Sequence, residues 1–227
     1  MLPILKLDHI DLHLKSEAGS VHILKDISLD LPPAKTVGIM GPSGSGKTTL
    51  LMVLGGLEKP TSGAVEVTGT KLAGLSEDNL ATFRRDNIGI VFQNFHLIPT
   101  MTALENVAIP LEFAGQRDAF KKAEEALAAV GLKERVKHYP GQLSGGEQQR
   151  VAIARAFVTT PRLILADEPT GNLDAETGKK VMDLMFDMTR RHGTTLILVT
   201  HDAALAGTCD ILIRLRDGKV LGSQAAA

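Results

Sequence analysis

Residues Thr36 to Leu57 read TVGIMGPSGSGKTTLLMVLGGL. A short β-branched apolar run leads into a glycine-rich loop and then into residues with helical spacing. The loop, Gly41 to Thr49, fits GxxxxGK[ST] in the strand, loop and helix context that the pattern requires. Gly41, Gly44 and Gly46 let successive backbone N–H groups turn inward on phosphate oxygens, with Pro42, Ser43 and Ser45 between them, and the helix N-terminus adds its positive end. Lys47 supplies a mobile cation for the β and γ phosphates. The Thr48 hydroxyl is placed to ligate Mg²⁺, and Thr49 completes the motif. A glycine-rich turn without ligand is the bland alternative, but the bare pattern arises by chance in a chain of this length only about once in a hundred.

Working outward, further short buried runs follow: IGIVF, LILA, TLILVT and ILIRL, most of them separated by helical periodicity. Continuous apolar strands alternating with helices predict an α/β fold whose core is a parallel sheet covered on both faces. Upstream, Ile4 to Leu14, Ile23 to Leu31 and Ala64 to Val67 alternate between apolar and polar, which predicts an N-terminal antiparallel β layer. Between Asn94 and Leu143 no strand pattern occurs, while Thr102 to Phe113 and Arg117 to Val130 carry helical spacing, the second ended by Gly131. Residues 94–143 are therefore expected to form a helical sub-domain inserted into a single domain of residues 1–227. Residues 221–227, ending GSQAAA, carry no pattern and are expected to be a disordered tail.

Composition narrows the classes. In 227 residues, 25 Lys and Arg stand against 26 Asp and Glu, so no strongly basic surface for nucleic acid or membrane is forced on the chain. At 44 % hydrophobic and 22 % charged it is ordinary globular material. No apolar run reaches the ~20 residues of a membrane helix, and MLPILKLDHIDLHLK is broken by charge too early for a signal peptide. The expectation is a cytosolic chain. Its single cysteine, Cys209, excludes an intrachain disulfide.

LILADE puts Asp167 and Glu168 at the carboxyl end of a buried strand, where open parallel sheets hold ligands. Adjacent carboxylates there divide two tasks: Asp167 holds Mg²⁺, directly or through water, while Glu168 orients the attacking water and accepts its proton. A solvated acidic turn is the local alternative. In LSGGEQQR, Ser144 as N-cap and Glu147 three residues on form a capping box. Capping does not require Gly145 and Gly146. Two glycines at a helix start admit close approach of backbone N–H groups to a ligand, a second phosphate-binding helix end.

GPSGSGKTT, LSGGEQQR, LILADEP and His201 in LVTHD, in this order, resemble the ATP-binding cassette of ABC transporters over nearly the whole chain. The resemblance implies a P-loop NTPase cassette that binds ATP with Mg²⁺ and hydrolyses it. It also implies a head-to-tail homodimer, in which Ser144, Gly145, Gly146 and Glu147 of one copy close over nucleotide held by the phosphate loop of the other. Gln93, after IGIVF, matches the family's Gln loop, which reaches Mg²⁺ and the lytic water and reports to the membrane partner; a surface Gln at a strand end is the alternative. His201 matches the switch histidine that contacts the γ phosphate. Asp174 in GNLDAET matches the loop that crosses the dimer interface, and an N-cap role is an equally good local account. The family stacks adenine on an aromatic residue just past the first strand. Here no Phe, Tyr or Trp precedes Phe83, and the aligned position is Leu14, with His13 beside it.

GGLEKPTSG, FHLIPTMTALENVAIPL and DEPTGNLD resemble the subgroup of cassettes for lipoprotein release (LolD-type), macrolide export (MacB-type) and cell division. That resemblance implies an integral membrane permease of the FtsX-like or MacB-like type as partner, docking on Phe95 to Pro110. It implies a peripheral location on the cytoplasmic face of the inner membrane and no nucleic-acid partner. An apolar stripe of this kind is also what an ordinary core helix shows. A soluble ABC-type ATPase without a permease would call for a coiled-coil insertion, a tandem cassette or a basic face. A nucleotide kinase sharing only the phosphate loop would leave LSGGEQQR and His201 without a role.

Overall fold

The computed structural model describes residues 2–16 and 19–225. In chain order the elements are β1 (Leu5–Ser16), β2 (Gly19–Leu31), β3 (Thr36–Met40), α1 (Lys47–Leu54), β4 (Ser62–Val67), β5 (Thr70–Lys71), α2 (Glu77–Asn87), β6 (Ile88–Phe92), α3 (Ala103–Phe113), α4 (Ala119–Ala129), α5 (Gly145–Phe157), β7 (Leu163–Asp167), α6 (Ala175–His192), β8 (Thr195–Val199), α7 (Ala203–Ala206), β9 (Ile211–Arg216) and β10 (Lys219–Ala225). They fall into two compact units, Met1–Arg84 with Thr195–Ala227, and Arg85–Thr194. This is an α/β fold with separate antiparallel and parallel strand systems. No helix among the described residues is long and apolar enough to cross a membrane.

The first unit contains an antiparallel sheet in the order β2-β1-β4-β5. Along β1, Leu5 and Leu7 are buried, then Ile10 and Leu12. Strict alternation would turn His9 inward. Instead His9 takes a left-handed φ of 50°, the pairing with β2 shifts between Leu7 and Ile10, and the strand returns its leucines to the core. Each fully buried Leu or Ile there contributes about 1.5–3 kcal/mol relative to exposure. After the bulge, Asp11 and His13 share the opposite, outward face.

The same unit holds β3 between β8 and β9, parallel to both. β8 is buried along its whole length, as expected of a strand covered on both faces. α7 lies so close to β3 that a side-chain carbon at Gly38 would sit 3.2 Å from the Ala206 carbonyl oxygen.

The expected disordered tail from Leu221 is corrected here. β10 pairs antiparallel with β9 as far as Ala225, opposite Ile211. Asp217 and Gly218 make the two-residue turn, both with positive φ (49° and 78°), the geometry a tight hairpin demands. Pairing along this strand uses backbone groups, so Gly222, Ser223 and Gln224 need no apolar alternation to belong to it. Residues 226 and 227 lie outside the described residues.

In the second unit β6 and β7 run parallel, Ile88 opposite Leu163 through Phe92 opposite Asp167. α5 packs on β6, and a side chain at Gly89 would overlap the Ala156 carbonyl. α6 buries Val181, Met182, Met185 and Met188, an i, i+1, i+4, i+7 stripe. Residues 94–143 contain α3, α4 and two short 3-10 turns, with no strand. Thr102 caps α3 in a reciprocal box with Glu105. Asn106, 1 % exposed, accepts from the Ile98 N–H at 2.8 Å and donates to the carbonyls of Ile98, Met101 and Thr102 at 3.0–3.1 Å. This buried amide fixes the main chain that leads into α3.

Candidate functional site

In the first unit the phosphate loop leaves β3 at Gly41. A side chain there would overlap the Leu215 carbonyl oxygen, so the loop passes β9 only as glycine. Gly44 and Gly46 have φ of 78° and 97°, a backbone that L-residues rarely adopt. Gly46 is the N-cap of α1 and, as glycine, offers no side-chain cap, so the helix start faces the loop through backbone alone. Lys47 is 8 % exposed and donates from Nζ to the carbonyls of Gly41 and Pro42 at 2.9 and 3.0 Å, which draws its ammonium across the loop. Ser45 Oγ is buried with no hydrogen-bond partner among the described residues. A glycine-built loop at a helix N-terminus, with a tethered ammonium and an unspent Ser45 hydroxyl, fits a multiply charged oxyanion.

His201 follows β8, whose carboxyl end lies level with that of β3: the Thr200 N–H donates to the Ile39 carbonyl at 3.2 Å. The first unit thus brings the switch-histidine position and the phosphate loop to one edge of one strand set. Leu14, on β1, is 38 % exposed. Beside it the His13 ring stacks on His22, centroids 3.9 Å apart and planes 14° from parallel.

In the second unit the Phe92–Asp167 register brings Gln93 and Glu168 out at the same strand edge. Glu168 has φ of 43°, and its carbonyl accepts from the Gly171 N–H at 3.0 Å, closing a tight turn. A non-glycine residue held in this region stores on the order of 1–3 kcal/mol, a feature concentrated at active sites. Gln93 is held from its side chain and main chain together: its Nε2 donates to Asn172 Oδ1 at 3.3 Å, and Asn172 Nδ2 donates to the Gln93 carbonyl at 3.0 Å and to Asn94 Oδ1 at 2.8 Å. Gly171 makes room for that amide, since a side-chain carbon there would lie 2.6 Å from Gln93 Nε2.

The signature also lies in this unit. Ser144 Oγ accepts from the Glu147 N–H at 3.3 Å, and Glu147 Oε2 accepts from the Ser144 N–H at 2.8 Å. Arg135 Nε adds an ion pair to Glu147 at 3.0 Å. The Ser144 amide and hydroxyl, followed by Arg135, hold the Glu147 carboxyl down at about 2. Asp174 caps α6 by accepting from the Thr177 N–H at 3.0 Å, and that amide also holds its carboxyl below the usual range. Gly146 is buried against α6, where a side chain would overlap the Thr177 methyl.

Sequence reasoning did not single out Asn172, Arg135, Arg155 or His22. Asn172 sits inside the quoted GNLDAET, three residues past the Asp-Glu-Pro run, and an amide there was the one available signal. The others act through pairings distant in sequence.

Residues 24–171 match the family model described as ABC transporter. The chain is 49 % identical over 203 residues to the lipoprotein-releasing system ATP-binding protein LolD of Geobacter metallireducens, covering 88 % of this chain and 90 % of that protein. It is 47 % identical over 214 residues to the ABC transporter ATP-binding protein YbbA of Escherichia coli K12, covering 92 % and 94 %. Among solved structures, the dimeric post-hydrolysis state of the ATP-binding cassette MJ0796 bound to ADP and Pi superposes with a TM-score of 0.90 at 42 % identity, covering 98 % of this chain and 99 % of that one. The chain belongs to the ABC transporter family, and within it to the ATP-binding cassettes that bind and hydrolyse ATP.

Proposed function

We propose that this cassette powers a membrane permease of the lipoprotein-release and macrolide-export class, FtsX-like or MacB-like, from the cytoplasmic face of the inner membrane. The observation that carries the reading is the segment Phe95–Pro110. It follows Gln93 directly, its main chain is clamped by Asn106, and it leaves Ile98 38 % exposed, with Phe113 at the end of α3 74 % exposed. An apolar surface on a fixed main chain adjoining the nucleotide-linked Gln93 suits a coupling contact. Relatives named as lipoprotein-releasing system ATP-binding proteins support it.

In this reading residues 94–143 are a helical sub-domain of the single cassette domain 1–227. The phosphate loop, Gly41 to Thr49, holds the ATP phosphates, with Lys47 on the β and γ oxygens. Thr48, Gln93 and Asp167 offer a hydroxyl, an amide carbonyl and a carboxylate, the hard oxygen donors that suit Mg²⁺. When bound, Mg²⁺ neutralises charge between the β and γ phosphates. Glu168 takes a proton from the attacking water, His201 contacts the γ phosphate, and Leu14 lies against the base. Ser144, Gly145, Gly146 and Glu147 of a second copy complete the site, with Asp174 at the boundary between copies.

The test is copurification. Replacing Leu97 and Ile98 by Asp should abolish recovery of the permease while the isolated subunit keeps its ATPase rate. Loss of both together would make these side chains core and return the reading to an ATPase that works without a permease.

A further inference from the structure

We propose that Asp11, His13 and His22 form a site for a divalent transition metal of the zinc class on the outward face of the β1–β2 pair. The ligand atoms of the three side chains all lie within 4.8 Å of one another. Strand geometry brings them there. His13 and His22 are direct cross-strand partners in the β1–β2 register, and Asp11 is two residues from His13, hence on the same face.

The rings are already aligned, 3.9 Å apart and within 14° of parallel, and His22 Nε2 lies 2.7 Å from Asp11 Oδ1. Tetrahedral coordination at about 2.0–2.1 Å per ligand separates ligand atoms by about 3.3 Å. The Asp11–His22 contact therefore opens by a fraction of an ångström on binding and the widest pair closes by somewhat more, within reach of side-chain rotation. Two imidazoles with one carboxylate select zinc, cobalt or nickel over Mg²⁺, which takes oxygen. Water fills the fourth position.

The surroundings support the carboxylate as a ligand. Asp11 Oδ1 also accepts from the Asp26 N–H at 3.2 Å, and its other oxygen accepts from Ser62 at 3.5 Å. The His13 main chain is pinned by its N–H to Thr61 Oγ1 at 2.9 Å. Nearby His9 provides a contrast: it pairs with Asp26 at 2.6 Å, and among the described residues no second imidazole stacks on it.

The probe is zinc itself. The chain, stripped by chelator and held in excess Mg²⁺, is titrated with ZnCl₂ against a chromogenic competitor, and separately with CoCl₂ while visible absorbance is followed. One equivalent should bind, and Co²⁺ should give the intense bands of tetrahedral coordination. His13→Ala, His22→Gln and Asp11→Asn should each weaken zinc binding at least tenfold, and His9→Ala should leave it unchanged. The circular dichroism spectrum and thermal midpoint of each variant verify the fold. Absence of a stoichiometric zinc site, or equal affinity in wild type, His13→Ala and His22→Gln, overturns the proposal and leaves a plain histidine stack with one Asp–His hydrogen bond.

Discussion

Arg155 on α5 donates from its guanidinium to the main-chain carbonyl of His96 at 2.7 Å. A second N–H of the same fork reaches the preceding carbonyl, that of Phe95, at 2.9 Å. Phe95 and His96 both have positive φ, 58° and 47°. Two consecutive non-glycine residues in that conformation are costly, and the planar fork of arginine offsets the cost by matching two adjacent carbonyls. The signature helix and the segment just past Gln93 are thereby joined in one unit.

Arg155→Met should therefore destabilise the protein by roughly 1–3 kcal/mol, from two carbonyls that lose a charged donor, with relaxation of the strained pair recovering part of the loss. Arg155→Lys should recover less than half, since an ammonium cannot fork. Urea unfolding of the three proteins checks this, and a loss under 1 kcal/mol for Arg155→Met would show that the 95–96 turn holds itself.

For the carboxylate next to Asp167, Glu168→Gln should retain ATP binding and lose turnover by about 10²-fold or more, because the amide cannot accept a proton. Phosphate release beside nucleotide titration separates the two. A near wild-type rate would assign the base to another group.

Glu147 makes stability depend on acid. Its folded value of about 2 lies below its ordinary 4.5, so the carboxylate stabilises the fold fully above pH 4.5 and progressively less as pH falls from 4.5 towards 2. Glu147→Gln keeps the capping geometry and removes the charge. Its urea midpoint should be lower than wild type at pH 6, and the gap should shrink by pH 3. A constant gap across that range would mean that Glu147 contributes no ionisation-linked stability.

Any side chain at Gly146 meets Thr177 on α6. Gly146→Ala should cost about 1–3 kcal/mol by overpacking, and Thr177→Ser, which deletes the opposing methyl, should restore most of it in the double variant. Thermal unfolding of the four proteins completes the cycle. Additive effects would place the strain elsewhere. A charged residue at Gly146 consequently disturbs its own subunit before it can report on a partner's nucleotide.

The phosphate loop, Asp167 with Glu168, and the Ser144 capping box were legible in the sequence because each is written in consecutive residues whose local geometry does the work. The bulge at His9 was not, because alternation there breaks by one residue and the break is placed by the register against β2 and β4. α2 carries no such signal, since Phe83 is its only buried residue, too little for an apolar stripe. β10 is silent in the sequence for a related reason: an edge pairing through backbone amides leaves no mark on side-chain pattern. The His13–His22 stack and the Arg155 fork depend on register and on helix packing, so no window of sequence contains both halves.

Asn106 has a consequence for how this surface can vary. Its amide spends its hydrogen-bonding capacity on the backbone of Ile98, Met101 and Thr102 and is itself sealed from water. Frame and display are thus encoded by different residues. Under the proposed docking role, the exposed side chains at Ile98, Pro99 and Thr100 could be replaced to alter the choice of partner without the loop having to find a new shape.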